Sequence, residues 1–500
     1  MSFWISLLSD LLLVAIGIGI FFLVVLYFRD VSQTRDAVLR NYPVIGHFRY
    51  IFSTLGEFFR QYFFAMDREE MPFNRAERQW IERASRDKST TVAFGSTRSL
   101  KPRGTLIFEN NVFPLLDEQK CPPETIVIGD GWCREPYASN AIINISAMSY
   151  GAISRPAVRA LSSGAKMAGC WLNTGEGGLS PWHLEGGADL VFQFGTAKYG
   201  VRDEVGRLSV EKLRQITAHP EVRMVEIKLS QGAKPGKGGI LPAAKVTDEI
   251  AEIRGIPPGK PSISPNRHPD INDITELLEM IHQVRDVGGK PTGIKFVAGG
   301  MEWLHQMCDE INRRGQDYAP DFITLDSGDG GTGAAPMTLM DHVGLPIRES
   351  LPLVVDLLME HGLRERIRVI ASGKLVNPVG VAWAICSGAD FVNSARGFMF
   401  ALGCIQSLRC HRNTCPTGIT THDPRLQKGL DPTDKAVRVA NYVNQITSAV
   451  EIIAHSCGVA EPRSLNRSHV RLVQESGRSV RMSEIYPQDI PRARNSQARS

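Results

Sequence analysis

The sequence predicts an α/β protein built on a (β/α)8 TIM barrel, with a transmembrane helix before it and flanking segments around it. Eight short β-rich runs alternate with helical patterns from about residue 142 onward, and eight is the strand number of this barrel. Each run is almost continuously apolar, as parallel strands buried on both faces are. Gly, Ser or Asp follows each run, which suits functional loops at the carboxyl ends of the strands. A doubly wound sheet is the alternative topology.

The predicted strands leave room for a helix between most neighbours. Helical patterns intervene at 155–169, 273–288 and 378–389. The strands themselves are expected at 142–146, 170–174, 190–194, 224–230, 292–298, 322–327, 367–372 and 390–395.

The chain divides into four expected parts. Residues 1–30 form the transmembrane helix, 31–124 a flanking region, 125–430 the barrel domain, and 431–500 a helical segment with a basic, polar and frayed tail. Within the barrel, the sequence of the Gly/Pro-rich span 231–270 has little secondary-structure signal. Loops of this length are usually functional or disordered, and we expect this one to be an active-site lid. The net charge of +4 on 500 residues is mild, so no nucleic-acid partner is expected.

The first apolar run, residues 3–28, contains a single charge, Asp10, and is long enough to cross a bilayer core of ~30 Å. A cleaved signal peptide would begin with a positive charge and end in small residues, whereas this run ends in Tyr27 and Phe28. We therefore expect a retained single-pass helix in the cell membrane. The positive-inside rule places the barrel in the cytoplasm because the basic residues that follow are Arg29, Arg35, Arg40 and Arg49.

A second segment, residues 42–66, alternates aromatic with charged residues and is too charged to span a membrane. Two interpretations stay open with equal weight. The segment is either an interfacial amphipathic helix or a helix that covers the body of the protein.

Cys404, Cys410 and Cys415 lie close together, whereas the other six cysteines are scattered and are expected to be buried thiols. Thiolates separated by five and four residues, with a proline after the last, could hold an iron–sulfur cluster. A zinc site with His411 is the second interpretation, although His411 directly follows Cys410 and the chain has no CxxC pair. Plain thiols or a disulfide are the third. The spacing alone leaves all three open.

Two loops at the last barrel positions suggest a phosphate site, as in many parallel barrels. Residues 371–375 offer the backbone amides of Ser372 and Gly373, and residues 393–398 offer the charge of Arg396 and the close approach of Gly397 before a helix. The stretch GDGGTG at 328–333 matches a dinucleotide fingerprint, but it follows a late strand and is not expected to bind a dinucleotide.

Five ordered motifs resemble the FMN-binding synthase domain of glutamate synthase, and the resemblance covers residues 125–430. They read SAMSYGAISRPAV (146–158), NTGEGG (173–178), EIKLSQGAKPGKGG (226–239), SGDGGTGAAP (327–336) and ALGCIQSLRCHRNTCPTGI (401–419). The resemblance is strongest to the membrane-tethered, single-polypeptide type. It implies a (β/α)8 barrel with FMN and a 3Fe-4S cluster that converts 2-oxoglutarate to L-glutamate by reductive amination through 2-iminoglutarate.

The resemblance also assigns residues to roles. It implies that Cys404, Cys410 and Cys415 are the ligands of the 3Fe-4S cluster. A physical argument also supports a flavin contact for Lys295, since a cation beside the flavin ring would stabilise the anionic reduced form of the ring. The implied FMN contacts are Met148, Ser149, Lys295, Ser327, Gly328, Asp329, Gly330, Gly331, Ser372, Gly373, Lys374, Ser394, Ala395, Arg396 and Gly397.

The implied substrate residues suit a dicarboxylate. Arg254 and Lys234 would clamp the carboxylates of 2-oxoglutarate by charge-assisted hydrogen bonds. Glu176 would hold ammonia or the imine nitrogen and move protons, and Gln231 is a further implied substrate residue. Lys228 is a second cation on the preceding strand.

The sequence departs from the family pattern in ways that bear on partners. Full glutamate synthases begin with a glutamine amidotransferase domain, which is absent here, so the nitrogen is expected from free ammonia, another subunit or another amine. Residues 263–271 also lack the usual double histidine. No segment is expected to bind NADPH, so the electron donor would be ferredoxin or a separate NAD(P)H-oxidising flavoprotein.

Two classes of function therefore remain. The first is an enzyme making glutamate or an N-substituted glutamate, and the second is a membrane-tethered electron-transfer flavoprotein that has lost amination. A non-enzymatic scaffold is the least favoured class, because the cluster ligands would then have no function.

Overall fold

Eight parallel strands close into a barrel in the computed structural model, which describes residues 2–63 and 68–488. Each strand pairs with its neighbours in sequence, and the eighth pairs with the first. All eight predicted strands and the predicted fold class are confirmed. The strands, called barrel strands 1 to 8, are Ile143–Ile145, Leu172–Asn173, Leu190–Phe194, Val222–Lys228, Thr292–Val297, Phe322–Asp326, Arg368–Ser372 and Phe391–Ser394.

Helices cover the outside of the barrel. The first begins where Ser154 accepts a hydrogen bond from the Ala157 amide, and it ends at Gly169, whose φ of 68° is left-handed. The three predicted helical patterns are confirmed. The helices are Arg155–Ala168, Pro181–Leu184, Val210–Thr217, Asp248–Arg254, Ile274–Gly288, Glu302–Arg314, Ile347–Glu360, Pro378–Cys386, Arg396–Ala401 and Pro424–Gln427.

The interior of the barrel is apolar at one end only. The hairpin of Ile126–Ile128 with Tyr137–Ser139 closes the amino-terminal end of the barrel over this apolar layer. Polar and charged side chains of the strands therefore collect toward the carboxyl ends, where a barrel places its site. The apolar layer contains Trp171, Val191, Met224, Phe322, Ile370 and Phe391.

The amino-terminal region is helical, with helices Ser2–Ser32, Ala37–Asn41, Gly46–Phe63 and Arg75–Ser85. Within the described residues, one stretch, Leu7–Ser32, is long and apolar enough to cross a membrane, and its most apolar 18-residue window is not buried in the protein. A signal sequence has the same length and composition, so this helix is consistent with the predicted span without establishing it. Met66, at the end of the predicted amphipathic segment, lies outside the described residues.

The expected lid contains more structure than its composition indicated. Ile240–Leu241 pairs with Ser262–Ile263, and a 3-10 turn at Ala243–Lys245 leads into the helix Asp248–Arg254. The weak secondary-structure signal of residues 231–270 therefore comes from short elements. The elements are two to seven residues long, too short to produce a periodic pattern among the glycines and prolines.

The carboxyl-terminal segment is also more ordered than expected. The long helix Pro432–Ser456 packs against the helix Arg155–Ala168. The expectation of a frayed tail was wrong for its first part, because Val470–Val473 pairs with both Leu106–Phe108 and Ser479–Arg481. A short helix, Met482–Ile485, follows. The remaining tail, residues 489–500, lies outside the described residues.

Candidate active site

A cavity opens at the carboxyl ends of the barrel strands, and most of the predicted site residues meet there. Residues from widely separated motifs line it because parallel strands all end at the same edge of the barrel. The predicted residues that line it are Met148, Ser149, Glu176, Lys228, Gln231, Lys234, Arg254, Lys295, Gly330, Gly331, Ser372, Gly373, Lys374, Ser394, Ala395, Arg396 and Cys410.

Six predicted residues lie outside this lining. Ser327 is fully buried behind the wall, where its hydroxyl bonds to Asp329 and accepts a hydrogen bond from the Ile347 amide at 2.9 Å. Ser327 and its neighbours therefore support the glycine loop from behind and do not face the cavity. The six are Ser327, Gly328, Asp329, Gly397, Cys404 and Cys415.

Glu176 and Lys228 form an ion pair inside the cavity. Lys228 Nζ lies 2.7 Å from Glu176 Oε1, and the same ammonium also donates to the side chain of Gln231. Burial acts to raise the pKa of the Glu176 carboxyl, but the charges of Lys228, Lys234 and Arg254 outweigh it and hold this pKa below its usual value. Glu176 is therefore a carboxylate with one oxygen bound to a cation.

His268 fixes the end of the strand that carries Lys228. Its Nε2 lies 2.9 Å from the Lys228 carbonyl oxygen, and burial lowers the pKa of this histidine to about 4. A carbonyl only accepts, so the neutral ring carries its hydrogen on Nε2 and donates. This histidine, in the segment that lacks the usual double histidine, thus joins the lid to barrel strand 4.

Two further cations, Lys234 and Arg254, come from the lid. Burial and the nearby Lys228 lower the pKa of Lys234 to about 8. Arg254 is 4% exposed, donates to the Tyr150 carbonyl at 3.1 Å, and lies over the ring of Tyr199 at 5.2 Å. Its Nε has no hydrogen-bond partner in the part of the chain the structure describes. A buried guanidinium with a free donor at a cavity wall is suited to bind a carboxylate.

Lys295 also lines the cavity, next to a network of buried carboxylates. Its Nζ is 3.5 Å from Asp326 Oδ2, and Lys295 is level with Lys228 on the adjacent strand. Burial acts to lower the pKa of Lys295, but Asp326 and Glu226 outweigh it and raise this pKa. Glu226, 1% exposed, accepts a hydrogen bond from Asn173 at 2.8 Å. Lys295 therefore carries a firmly held positive charge at the cavity floor.

Glycines bring the backbone close to the cavity. Gly175 has a left-handed φ of 66°, and a Cβ there would lie 2.5 Å from the Ser149 amide nitrogen. A Cβ on Gly331 would lie 3.0 Å from the Nε of Arg396. Glycines at these two positions therefore let the loop after barrel strand 2 approach the loop after strand 1, and the loop after strand 6 approach the loop after strand 8.

The two expected phosphate loops lie side by side. Lys374 Nζ is 2.9 Å from Asp329 Oδ2, and Arg396 donates to the Asp329 backbone carbonyl at 3.3 Å. Ser372 and Ser394 are both buried next to these cations. Two hydroxyls, two cations and the amides at two strand ends form a donor set suited to a phosphate monoester.

The cysteine loop lies beside the same cavity. Cys410 lines it, and the Cys410 carbonyl accepts a hydrogen bond from Lys245 at 2.8 Å. The Gln406 amide donates to Cys404 Sγ at 3.4 Å, and Cys415 Sγ lies 3.3 Å from the Thr417 hydroxyl.

All nine cysteines are free thiols. Burial raises the pKa of Cys404 to about 12, and the charges of the other two thiols of the loop, Cys410 and Cys415, add to the effect. Among the described residues, no three Cys, His, Asp or Glu side chains are placed to hold a metal ion. The loop therefore provides three neighbouring thiols and hydrogen bonds to sulfur, which a cluster uses, but its sulfurs do not stand as a ready ligand set. Of the other cysteines, Cys121 is exposed, contrary to the expectation of buried thiols.

Sequence reasoning missed several residues that shape the site. Tyr199 accepts a hydrogen bond from Ser262 at 2.7 Å beneath Arg254, and Lys245 joins the cavity to the cysteine loop. Lys245 lies in no recognisable motif, so no signal in the sequence pointed to it. Asp326 and Glu226 could have been noticed as acidic residues within two otherwise apolar strands, since a buried carboxylate needs a partner.

A barrel of eight parallel strands with a charged cavity at their carboxyl ends defines a protein of the (β/α)8 class. Residues 98–460 match the family model described as the conserved region in glutamate synthase, which is more than half of the chain. The chain therefore belongs to the glutamate synthase family, and this relationship implies an oxidoreductase.

Individual relatives agree with this placement. The chain is 40% identical to the glutamate synthase large subunit-like protein YerD of Bacillus subtilis, over 93% of this chain and 95% of the relative. It is 36% identical to the archaeal-type glutamate synthase (NADPH) of Thermotoga neapolitana, over 69% of this chain but only 65% of that relative. Among solved structures, a flavocytochrome b2 mutant with benzoylformate gives a TM-score of 0.45 at 13% identity, covering 79% of this chain and 78% of that one.

Proposed function

We propose that this chain is an FMN- and iron–sulfur-dependent oxidoreductase that aminates 2-oxoglutarate reductively to L-glutamate, through 2-iminoglutarate. The observation that carries the proposal is the ion pair of Glu176 and Lys228 in one cavity with Lys234 and Arg254, next to two phosphate-binding loops. An acid–base group and a dicarboxylate clamp are what this substrate needs beside a phosphate-bearing cofactor.

The cofactor contacts follow from the cavity. The loops at 372–374 and 394–396 would hold the phosphate of FMN, with Lys295 on the cavity floor and Gly330 and Gly331 at the wall. Cys404, Cys410 and Cys415 would hold a 3Fe-4S cluster after the loop adjusts its sulfurs. When bound, the reduced flavin supplies a hydride to the substrate, and the cluster supplies electrons to the flavin.

The residues of the chain orient the substrate and move its protons. Arg254 and Lys234 bind the two carboxylates and thereby fix C2 of 2-oxoglutarate in the cavity. Glu176 would take protons from the attacking ammonia nitrogen and return them to the carbonyl oxygen, which leaves as water to give the imine. When the imine is reduced at C2, Glu176 would pass a proton from solvent to its nitrogen, which completes L-glutamate. Lys228 keeps Glu176 ionised before each cycle.

The partners follow from this reaction. We propose free ammonia as the nitrogen donor, and ferredoxin or a separate NAD(P)H-oxidising flavoprotein as the electron donor. The helix Leu7–Ser32 would anchor the barrel to the cell membrane from the cytoplasmic side.

A stopped-flow substrate screen tests the proposal. The purified full-length protein is reduced with dithionite or reduced ferredoxin and mixed anaerobically with 2-oxoglutarate and ammonia or an amine. We expect flavin reoxidation that needs both substrates, and glutamate as the product. Reoxidation that ignores 2-oxoglutarate with every amine would contradict the synthase proposal and favour the electron-transfer flavoprotein. Reaction with an alkylamine but not ammonia would instead identify an N-substituted glutamate as the product.

A further inference from the structure

The helix Gly46–Phe63 has an apolar face that the described part of the chain leaves uncovered. Its side chains are 43% to 66% exposed and recur at three- and four-residue spacing, so they share one side of the helix. The rings of the two phenylalanines stack on each other at 6.3 Å between centroids. The face consists of Phe48, Ile51, Phe52 and Leu55.

We propose that this helix lies in the plane of a phospholipid bilayer, with that face inserted at the boundary between headgroups and acyl chains. An amphipathic helix with aromatic residues on one face and basic residues beside it is suited to such a position. Arg49, which borders the face, is exposed and available to anionic headgroups. The inference rests on the proposed membrane anchor Leu7–Ser32 and is independent of the proposed reaction.

The opposite side of the helix is fixed to the protein. The Tyr50 hydroxyl bonds to Asp36, and a Cβ on Gly46 would lie 3.0 Å from a methyl group of Leu39. Because one side is anchored in this way, the helix cannot turn its apolar face inward. The face therefore stays open to a partner outside the described residues.

A buried junction with the apolar helix Ser2–Ser32 favours lipid as the partner of this face. Asp30, at the end of the exposed apolar helix Ser2–Ser32, is only 2% exposed. It accepts hydrogen bonds from the Val44 amide at 2.9 Å and from His47 Nε2 at 2.9 Å. The start of the helix Gly46–Phe63 is thus held against the end of the helix Ser2–Ser32. A helix that leaves the end of a membrane span lies at the level of the interface.

The same junction lies beside the cysteine loop. The Asn41 side chain donates to the Pro416 carbonyl at 3.1 Å and to the Leu426 carbonyl at 2.6 Å, and Pro416 directly follows Cys415. A lipid-docked helix therefore places the cysteine loop at the membrane-facing end of the barrel.

Photocrosslinking in the full-length protein tests this placement. Phe52→p-benzoylphenylalanine is prepared in vesicles of phosphatidylcholine and phosphatidylglycerol, irradiated, and analysed by mass spectrometry. Val25→p-benzoylphenylalanine, within the apolar helix, is the reference for lipid contact. Val112→p-benzoylphenylalanine is the control, because Val112 is 80% exposed and its neighbour Asn111 donates to the Ser456 carbonyl.

The long helix Pro432–Ser456 separates the control position 112 from the junction of the two amino-terminal helices. Lys435 near its start donates to the Arg35 carbonyl, next to the junction, while Ser456 ends it. Its 25 residues span roughly 38 Å at about 1.5 Å per residue.

We expect lipid adducts at position 52 in a yield like that at position 25 and at least about tenfold above that at position 112. Crosslinks from position 52 to a second copy of the chain, or a lipid yield no higher than at position 112, would overturn the proposal. Absence of lipid adducts at both 25 and 52 would overturn it as well.

Discussion

The ammonium of Lys228 lies 2.7 Å from the carboxylate of Glu176, and the two side chains come from the ends of barrel strands 4 and 2. Both line the cavity, and Lys228 is buried. A charged hydrogen bond in such a site is stronger than one in water, so Lys228 helps to hold Glu176 in its ionised form. In the proposed reaction, this pair would control when Glu176 can act as a base.

Removing the cation should shift the pH dependence of turnover. In a Lys228→Gln variant the pKa of Glu176 rises, because burial then opposes ionisation with less compensation. In the proposed reaction Glu176 acts as the carboxylate, so we expect the acidic limb of the kcat/KM profile to move to higher pH. The profile is measured for 2-oxoglutarate at saturating ammonia, with Lys260→Gln on the exposed lid surface as control. An acidic limb that stays in place would show that Lys228 does not set the ionisation of Glu176.

Replacing the carboxylate itself separates amination from electron transfer. We expect Glu176→Gln to lower 2-oxoglutarate-dependent turnover by about 10²- to 10⁴-fold, the usual contribution of a general acid–base group. Flavin content and reoxidation by an artificial acceptor should stay normal, since those steps do not need the carboxylate. Stopped-flow traces with both acceptors provide the measurement, and the exposed Glu204→Gln is the matched control. Equal loss with both acceptors would place Glu176 in cofactor binding instead.

The ion pair beneath the cavity should contribute to stability. Lys295→Met leaves Asp326 and Glu226 buried without their cation, and we expect a loss of about 3–5 kcal/mol in the free energy of unfolding. Adding Asp326→Asn to this variant should restore part of the loss, because it removes one unpaired charge. Urea unfolding of the single and double variants measures both values. If the double variant is no more stable than Lys295→Met, the two side chains are not coupled.

The barrel was predictable because its signal is local. A strand such as Leu190–Phe194 is five apolar or neutral residues followed by glycine, and that pattern alone gives its bounds. Since all barrel strands are parallel, knowing them also predicts that Lys228 and Lys295 lie at one edge, and the structure places them level with each other. Resemblance to a family then supplied roles for these residues.

Features that depend on contacts between distant residues were not predictable. The lid helix Asp248–Arg254 has seven residues, and the position of Arg254 depends on Tyr150 and Tyr199 far away in sequence. The strand Val470–Val473 forms only because it pairs with Leu106–Phe108 near the other end of the chain. No local pattern contains such pairings, because burial and partners decide them.

The cysteine loop allows a direct test of the proposed cluster. Cys410 lines the cavity and its carbonyl is held by Lys245, so it is the thiol of the loop that contacts the site. A Cys410→Ser variant loses a thiolate ligand, and we expect the EPR signal of an oxidised 3Fe-4S cluster to disappear while flavin content is retained. Cys308→Ser, in the buried helix face outside the barrel, is the matched control and should keep the signal. An unchanged EPR signal in Cys410→Ser would exclude this cysteine as a ligand, and the loss of both cofactors would show that the loop holds the flavin cavity together instead.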